Sequence, residues 1–170
     1  MFTTSTMRIH ANFRENNLLK VLAGAYALVW IVTAIRPVYP SDWLLENILV
    51  VLFIPALVVM YKKFPLSDLS YVCIALFMTL HAVGAHYTYA ETPMGYWMQE
   101  WFNLQRNHYD RVVHFTFGLL MAYPVREVFL QVARARGFFA YYLPLDVTLA
   151  FSGFYEIIEM LVAVVVNPEA

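Results

Sequence analysis

Apolar residues in this chain gather into five long runs, each broken from the next by charges, prolines or a polar connection. The first run covers 18–35 and is closed by Arg36 and Pro37. The second, 44–61, is entered through Ser41 and Asp42 as cap residues and ends at Lys62 and Lys63. The third, 69–89, takes its start signal from Ser67 and Asp68. The fourth, 111–130, is the least hydrophobic. Its apolar stretch reaches Ala122 and then meets Pro124, Arg126 and Glu127, which predicts a kink or an early exit. The fifth, 145–166, has Pro144 suited to a first helical turn and Asp146 favourable to the helix dipole. Every run is near the roughly 20 residues that an α-helix needs to cross about 30 Å of hydrocarbon. The pattern therefore predicts an all-α, polytopic transmembrane bundle of about five spans, forming one domain over 1–170.

Composition strengthens that reading. Hydrophobic residues make up 61% of the 170-residue chain and charged residues 14%, against roughly 45–50% and about 25% in soluble domains. So much apolar surface does not fit inside a soluble domain of this size, and a bilayer is the solvent that accepts it. Aromatics at 17% agree, because Trp and Tyr settle at membrane interfaces. The net charge of −1 decides nothing by itself, and no basic arm or aromatic–basic interleaving points to nucleic acid, so no nucleic-acid partner is expected. Cys73, the single cysteine, reads as a small packing residue. Arg8, Arg14 and Lys20 precede a first run that is too long for the apolar core of a cleaved signal, so it is expected to stay as a span.

Loop charges predict an orientation. With a cytoplasmic N-terminus, the inner segments carry eight basic residues: Arg8, Arg14, Lys20, Lys62, Lys63, Arg126, Arg134 and Arg136. The outer segments carry three, Arg36, Arg106 and Arg111. The connection 90–110 is then periplasmic. In it Tyr96, Trp97, Trp101 and Phe102 alternate with Gln99, Glu100, Asn103 and Gln105, as in a short interfacial helix that anchors a loop or covers a site.

Ionisable residues inside spans are costly and face the bundle interior. His81 and His86 on the third run are five apart, so they cannot share a face of a regular helix. Asp110 and His114 are four apart and do share one, with His108 and Arg111 beside them. Asp110 is also a natural helix cap, whereas His114 lies a turn further in. On the fifth run Thr148, Ser152, Tyr155, Glu156 and Glu159 recur every three or four residues as one polar stripe. Two carboxylates at that depth must share a proton, meet a cation or face water. His81, His114 and Glu159 come at matching depth, within reach of each other across packed helices. Glu46, just inside the second run, pairs with Arg36 or Arg111 or favours its helix N-terminus.

Imidazole with carboxylate suits zinc, manganese or iron. The expected ligands are His81, His86, Asp110, His114 and Glu159. Glu156 is the expected general base or orienting partner, and Glu46, His108, Arg111 and Tyr155 fill out the polar cluster. Two other readings stay open: a hydrogen-bonded polar core that holds the helices together, and a proton relay.

Several blocks carry a resemblance: Phe64-Pro-Leu-Ser-Asp-Leu-Ser-Tyr71, His81-Ala-Val-Gly-Ala-His-Tyr-Thr-Tyr89, Arg106-Asn-His-Tyr-Asp-Arg-Val-Val-His114, Ala122-Tyr-Pro-Val-Arg-Glu127, Leu143-Pro-Leu-Asp146 and Tyr155-Glu-Ile-Ile-Glu159. Together, over nearly the whole chain, they resemble the YjdF-like family of bacterial inner-membrane proteins. The resemblance implies a multi-pass inner-membrane location and supplies no reaction. It also implies, beyond Glu159, a segment rich in Gly, Gln, Asp and Trp and a further span, which this chain, ending at Asn167-Pro-Glu-Ala170, is expected to lack. The functional expectation is a membrane metalloprotein with its site in the outer leaflet, acting on a lipid-linked or amphipathic substrate. The alternatives are a proton- or cation-coupled transport component, which five spans would support only as a homo-oligomer, and an accessory subunit with a structural polar core.

Overall fold

A computed structural model describes residues 13–166; Arg8 and the chain end from Asn167 to Ala170 lie outside them. The described residues form six helices and no strand: α1 Asn17–Ala34, α2 Pro40–Lys63, α3 Asp68–His86, α4 Pro93–Trp101, α5 Tyr109–Gln131 and α6 Phe139–Val166. Helices α1, α2 and α3 are long and apolar enough to cross a bilayer. Helices α5 and α6, of 23 and 28 residues, also have the length, but both carry polar stripes.

The helix ends follow local chemistry. Asn16 caps α1, its side-chain oxygen accepting from the Leu19 N–H at 2.9 Å. Ser67 caps α3. Of the kink or early exit expected at Pro124, the exit does not occur: α5 runs through it to Gln131. Glu127, read from sequence as part of that exit, is instead buried, and it accepts from the Ser67 N–H at 2.8 Å and from Ser70 Oγ at 2.7 Å. Its carboxylate thus serves the N-terminus of α3, where negative charge is favoured. Helix α6 starts at Phe139, six residues before the expected Leu145, so Pro144 lies inside it. The carbonyl of Pro144 is taken by the Thr148 hydroxyl at 2.6 Å.

Helix α3 is the centre of the bundle, packed mainly on α1 and α5; α6 packs on α5, and α2 rests only lightly on α3. The apolar core gathers Val50, Leu66, Tyr71, Ile74, Met78 and Met121. Large apolar side chains elsewhere face outward, among them Leu28 and Ile31 on α1, Leu52 on α2, and Leu149, Phe154 and Ile157 on α6. That distribution is what hydrocarbon surroundings select, since apolar faces there cost nothing to expose. On α6 the contrast is sharpest, because its buried or half-buried positions include Thr148, Ser152, Tyr155 and Glu159.

The two ends of the bundle differ. At one, the Asn16 amide donates to Asp68 at 3.1 Å and Glu127 meets Ser67. At the other, the Val38 N–H donates to the His86 carbonyl at 3.0 Å and the Tyr109 hydroxyl to the Leu80 carbonyl at 2.9 Å. The connection 90–110 belongs to this second end. It contains α4, as its aromatic–polar alternation suggests, with Trp97, Trp101 and Phe102 exposed. Asn107 fastens it by donating to the Thr92 carbonyl at 3.0 Å and accepting from the Tyr109 N–H at 2.9 Å.

A candidate His–carboxylate centre

The site is built on the facing stripes of α5 and α6. Asp110 and His114, one turn apart on α5, put Nε2 of the imidazole 3.3 Å from Asp110 Oδ1. From α6, Glu156 Oε1 comes to 3.4 Å and Glu159 Oε2 to 4.0 Å of the same nitrogen. The other ring nitrogen, Nδ1, lies 3.2 Å from Ser152 Oγ. One imidazole is thus ringed by three carboxylates and a hydroxyl. Ligand atoms of Asp110, His114 and Glu156 all fall within 4.8 Å of one another.

A second polar chain joins the site from α2 and α3. Glu46 of α2 accepts a hydrogen bond from the Tyr155 hydroxyl of α6, and its carboxylate also lies beside Tyr89. The Tyr89 hydroxyl and His81 Nδ1 are 2.6 Å apart. His81 itself is only 7% exposed, and its Nε2 is buried with no hydrogen-bond partner among the described residues. Tyr89 reaches it because α3 ends at His86 rather than continuing to residue 89. Thr88 and Tyr89 take left-handed backbone angles, φ 54° at each, and the chain doubles back. The Tyr89 ring then lies on Gly84, where a Cβ would come within 2.5–2.8 Å of it.

The structure sorts the residues picked from sequence. Asp110, His114, Glu156 and Glu159 come together. Glu156, expected to stand behind the ligands, is nearer His114 than Glu159 is. His81 is held by Tyr89, outside that group. His86 Nδ1 lies 2.8 Å from the Thr33 carbonyl, tying α3 to α1, and it too stands outside the group. Glu46 is bound by Tyr155 rather than by Arg36 or Arg111, both of which are exposed. His108 precedes α5 without a capping bond from its side chain. Lost hydration, and then the Arg111 and Arg106 cations, push its imidazole below the usual range. Tyr89 was not singled out from sequence, since only the left-handed turn brings it to His81. Ser152 was visible as a stripe residue one turn from Glu156.

The donor set is of the kind that metal ions use. Bonds of about 2.0–2.1 Å to a tetrahedral metal put neighbouring ligand atoms about 3.3–3.4 Å apart, which is the spacing seen between His114 and its two nearer carboxylates. Three protein ligands would leave a coordination position open. Ser152 is placed to orient the ring.

Comparison with known proteins agrees with the motif blocks. Residues 18–170 match the family described as predicted membrane protein DUF2238. The chain is 36% identical over 143 residues to the inner membrane protein YjdF of Escherichia coli strain K12, covering 84% of this chain and 68% of that protein. No solved structure matches. The chain belongs to the DUF2238 family of predicted membrane proteins.

Proposed function

We propose that this integral inner-membrane protein holds a divalent metal ion on Asp110, His114 and Glu156, with Glu159 beside them, and uses it on an amphipathic or lipid-linked substrate. The observation that carries this reading is one imidazole nitrogen at 3.3 and 3.4 Å from two carboxylate oxygens, with the three ligand atoms within 4.8 Å of one another. Three carboxylates around one imidazole repel one another, and a dication removes that repulsion. Zinc suits the spacing best; manganese and iron accept the same donor types. Glu159, at 4.0 Å, stands where a second oxygen ligand or a proton acceptor for a bound water would be useful.

Calorimetric titration of the purified protein with zinc and manganese, in buffers of different ionisation enthalpy, tests the reading. The expected result is one site per chain, proton release on binding, and affinity that rises with pH as the ligands lose protons. His114→Gln should abolish binding. A protein that binds neither metal, or binds without releasing protons, overturns the proposal.

A second reading has its own observation. Tyr155–Glu46 and Tyr89–His81 extend the cluster into a line of titratable side chains from exposed Glu156 to buried His81. Such a line suits a proton relay. Proton flux in proteoliposomes that survives metal removal and stops in Glu46→Gln would favour it over the metal site.

A further inference from the structure

Beneath the polar cluster lies a cavity of about 480 Å³ walled by α2, α3, α5 and α6, within the roughly 300–1,000 Å³ of small-molecule sites. Its walls are apolar, with Phe53, Phe77, Met78, Phe117 and Phe154 prominent. The polar contributors, His81, Tyr89, His114, Ser152 and Tyr155, all belong to the cluster or to the chain that joins it. Its rim includes Leu49 and Leu52 of α2 and Phe151 and Phe154 of α6, all exposed on the apolar outer surface. The space therefore opens sideways between α2 and α6, toward hydrocarbon, while the Tyr155–Glu46 bond joins the same two helices at the polar end. Helix α2 is only lightly packed on α3, so a lateral entrance there is not held shut by a tight interface.

We infer that this cavity takes the hydrocarbon chain of a single-chain amphiphile, which enters from the bilayer between α2 and α6 and brings an oxyanion head to the metal on His114. This rests on the metal reading above. Asp110 and Glu156 balance the charge of a dication, and its open coordination position then accepts an oxygen donor such as a phosphate or carboxylate. His81 is more than nine-tenths buried, and its Nδ1 is engaged by Tyr89. The His81 ring lies beside the Glu46 backbone of α2, so the deep wall of the cavity is tied to α2.

Dodecyl phosphate carrying a photoreactive diazirine on its chain tests the inference in lipid nanodiscs, with attachment sites mapped by mass spectrometry. Zinc-loaded protein should label at cavity residues such as Phe117 and Phe77 well above lipid-facing Leu28 and Ile31. Unlabelled dodecyl phosphate should compete, and inorganic phosphate should not. Zinc removal should lower cavity labelling by roughly tenfold or more, and so should Leu49→Trp, which narrows the rim at a lipid-exposed position. Zinc binding should survive in Leu49→Trp, which checks that the variant is folded. Cavity labelling no higher than at Leu28 and Ile31, in protein that binds zinc, overturns this inference and leaves the metal site standing. Cavity labelling that ignores zinc overturns the assignment of the head to the metal. Competition by inorganic phosphate alone overturns the need for a chain. Failure to bind zinc at all sinks both readings.

Discussion

His114 has two ring nitrogens and two different surroundings. When Ser152 Oγ accepts from Nδ1–H, the lone pair of Nε2 is turned toward Asp110 and Glu156 and is free for a metal. When the proton sits on Nε2 instead, that nitrogen donates to a carboxylate and cannot bind a cation. Ser152 can thus orient the ring for binding when its oxygen accepts from Nδ1–H. Ser152→Ala should weaken zinc binding about 10–100-fold, the usual cost of removing an orienting partner, while Ser152→Thr, which keeps a hydroxyl, should weaken it far less. The carboxylates should be graded by distance. Glu156→Gln should weaken zinc binding more than Glu159→Gln, because 3.4 Å is ligand spacing and 4.0 Å is not. Leu161→Ala, a lipid-facing change on the same helix, should leave the affinity as it is. Equal losses from Glu156→Gln and Glu159→Gln in calorimetry would show that the two roles are not distinct.

At the scale of elements, two ends of α3 decide how the site is framed. Its N-terminus is held from α5 by Glu127. Glu127→Ala would leave the Ser67 N–H and the Ser70 hydroxyl buried without their acceptor, at a cost of about 1–3 kcal/mol. Glu127→Gln keeps an acceptor oxygen and should cost less in thermal unfolding followed by circular dichroism. Its C-terminus is shaped by Gly84, the floor under Tyr89. Gly84→Ala must push the ring away, costing about 1–3 kcal/mol and loosening the Tyr89–His81 bond. Unchanged unfolding in Gly84→Ala would mean that the turn relaxes without strain. These ends also show what the sequence made legible. Run length and hydropathy foretold the long helices, and three- and four-residue spacing foretold that Asp110 meets His114 and that α6 carries a polar stripe. Spacing could not foretell contacts between distant segments. Tyr155 and Glu46 lie on different helices, and Tyr89 returns to His81 only through left-handed angles that its residue type does not demand. Glu127 looked like the end of a span because a carboxylate in an apolar run usually is one. The N-terminus of α3 makes it a cap instead.

For the molecule as a whole, the direction of each helix follows from which residues meet at each end. Asn16 meets Asp68, and Ser67 meets Glu127, so α1 and α3 start where α5 is finishing. Val38 meets His86, and Tyr109 meets Leu80, so the opposite end joins the α1–α2 turn, the end of α3 and the start of α5. The chain therefore puts Lys62, Lys63, Arg126, Arg134 and Arg136 toward the first end, and the metal candidates with α4 toward the second. Basic loops favour the cytoplasmic face, so the first end should be cytoplasmic and the His114 centre should open to the periplasm, with α5 and α6 expected to span beside α1 to α3, which have the length and hydropathy to do so. Single cysteines placed by Lys63→Cys and by Trp97→Cys, each in a Cys73→Ala background, read this directly. Trp97 is exposed on α4 and Lys63 closes α2, so neither change disturbs the bundle interior. A membrane-impermeant maleimide applied to intact cells with a permeabilised outer membrane should label position 97, and should label position 63 only after lysis. Labelling of position 63 but not 97 in intact cells would invert the bundle and move the candidate centre to the cytoplasmic leaflet. Labelling of both would mean that α3 does not cross, and with it would go the bilayer depth on which the lateral entrance between α2 and α6 depends.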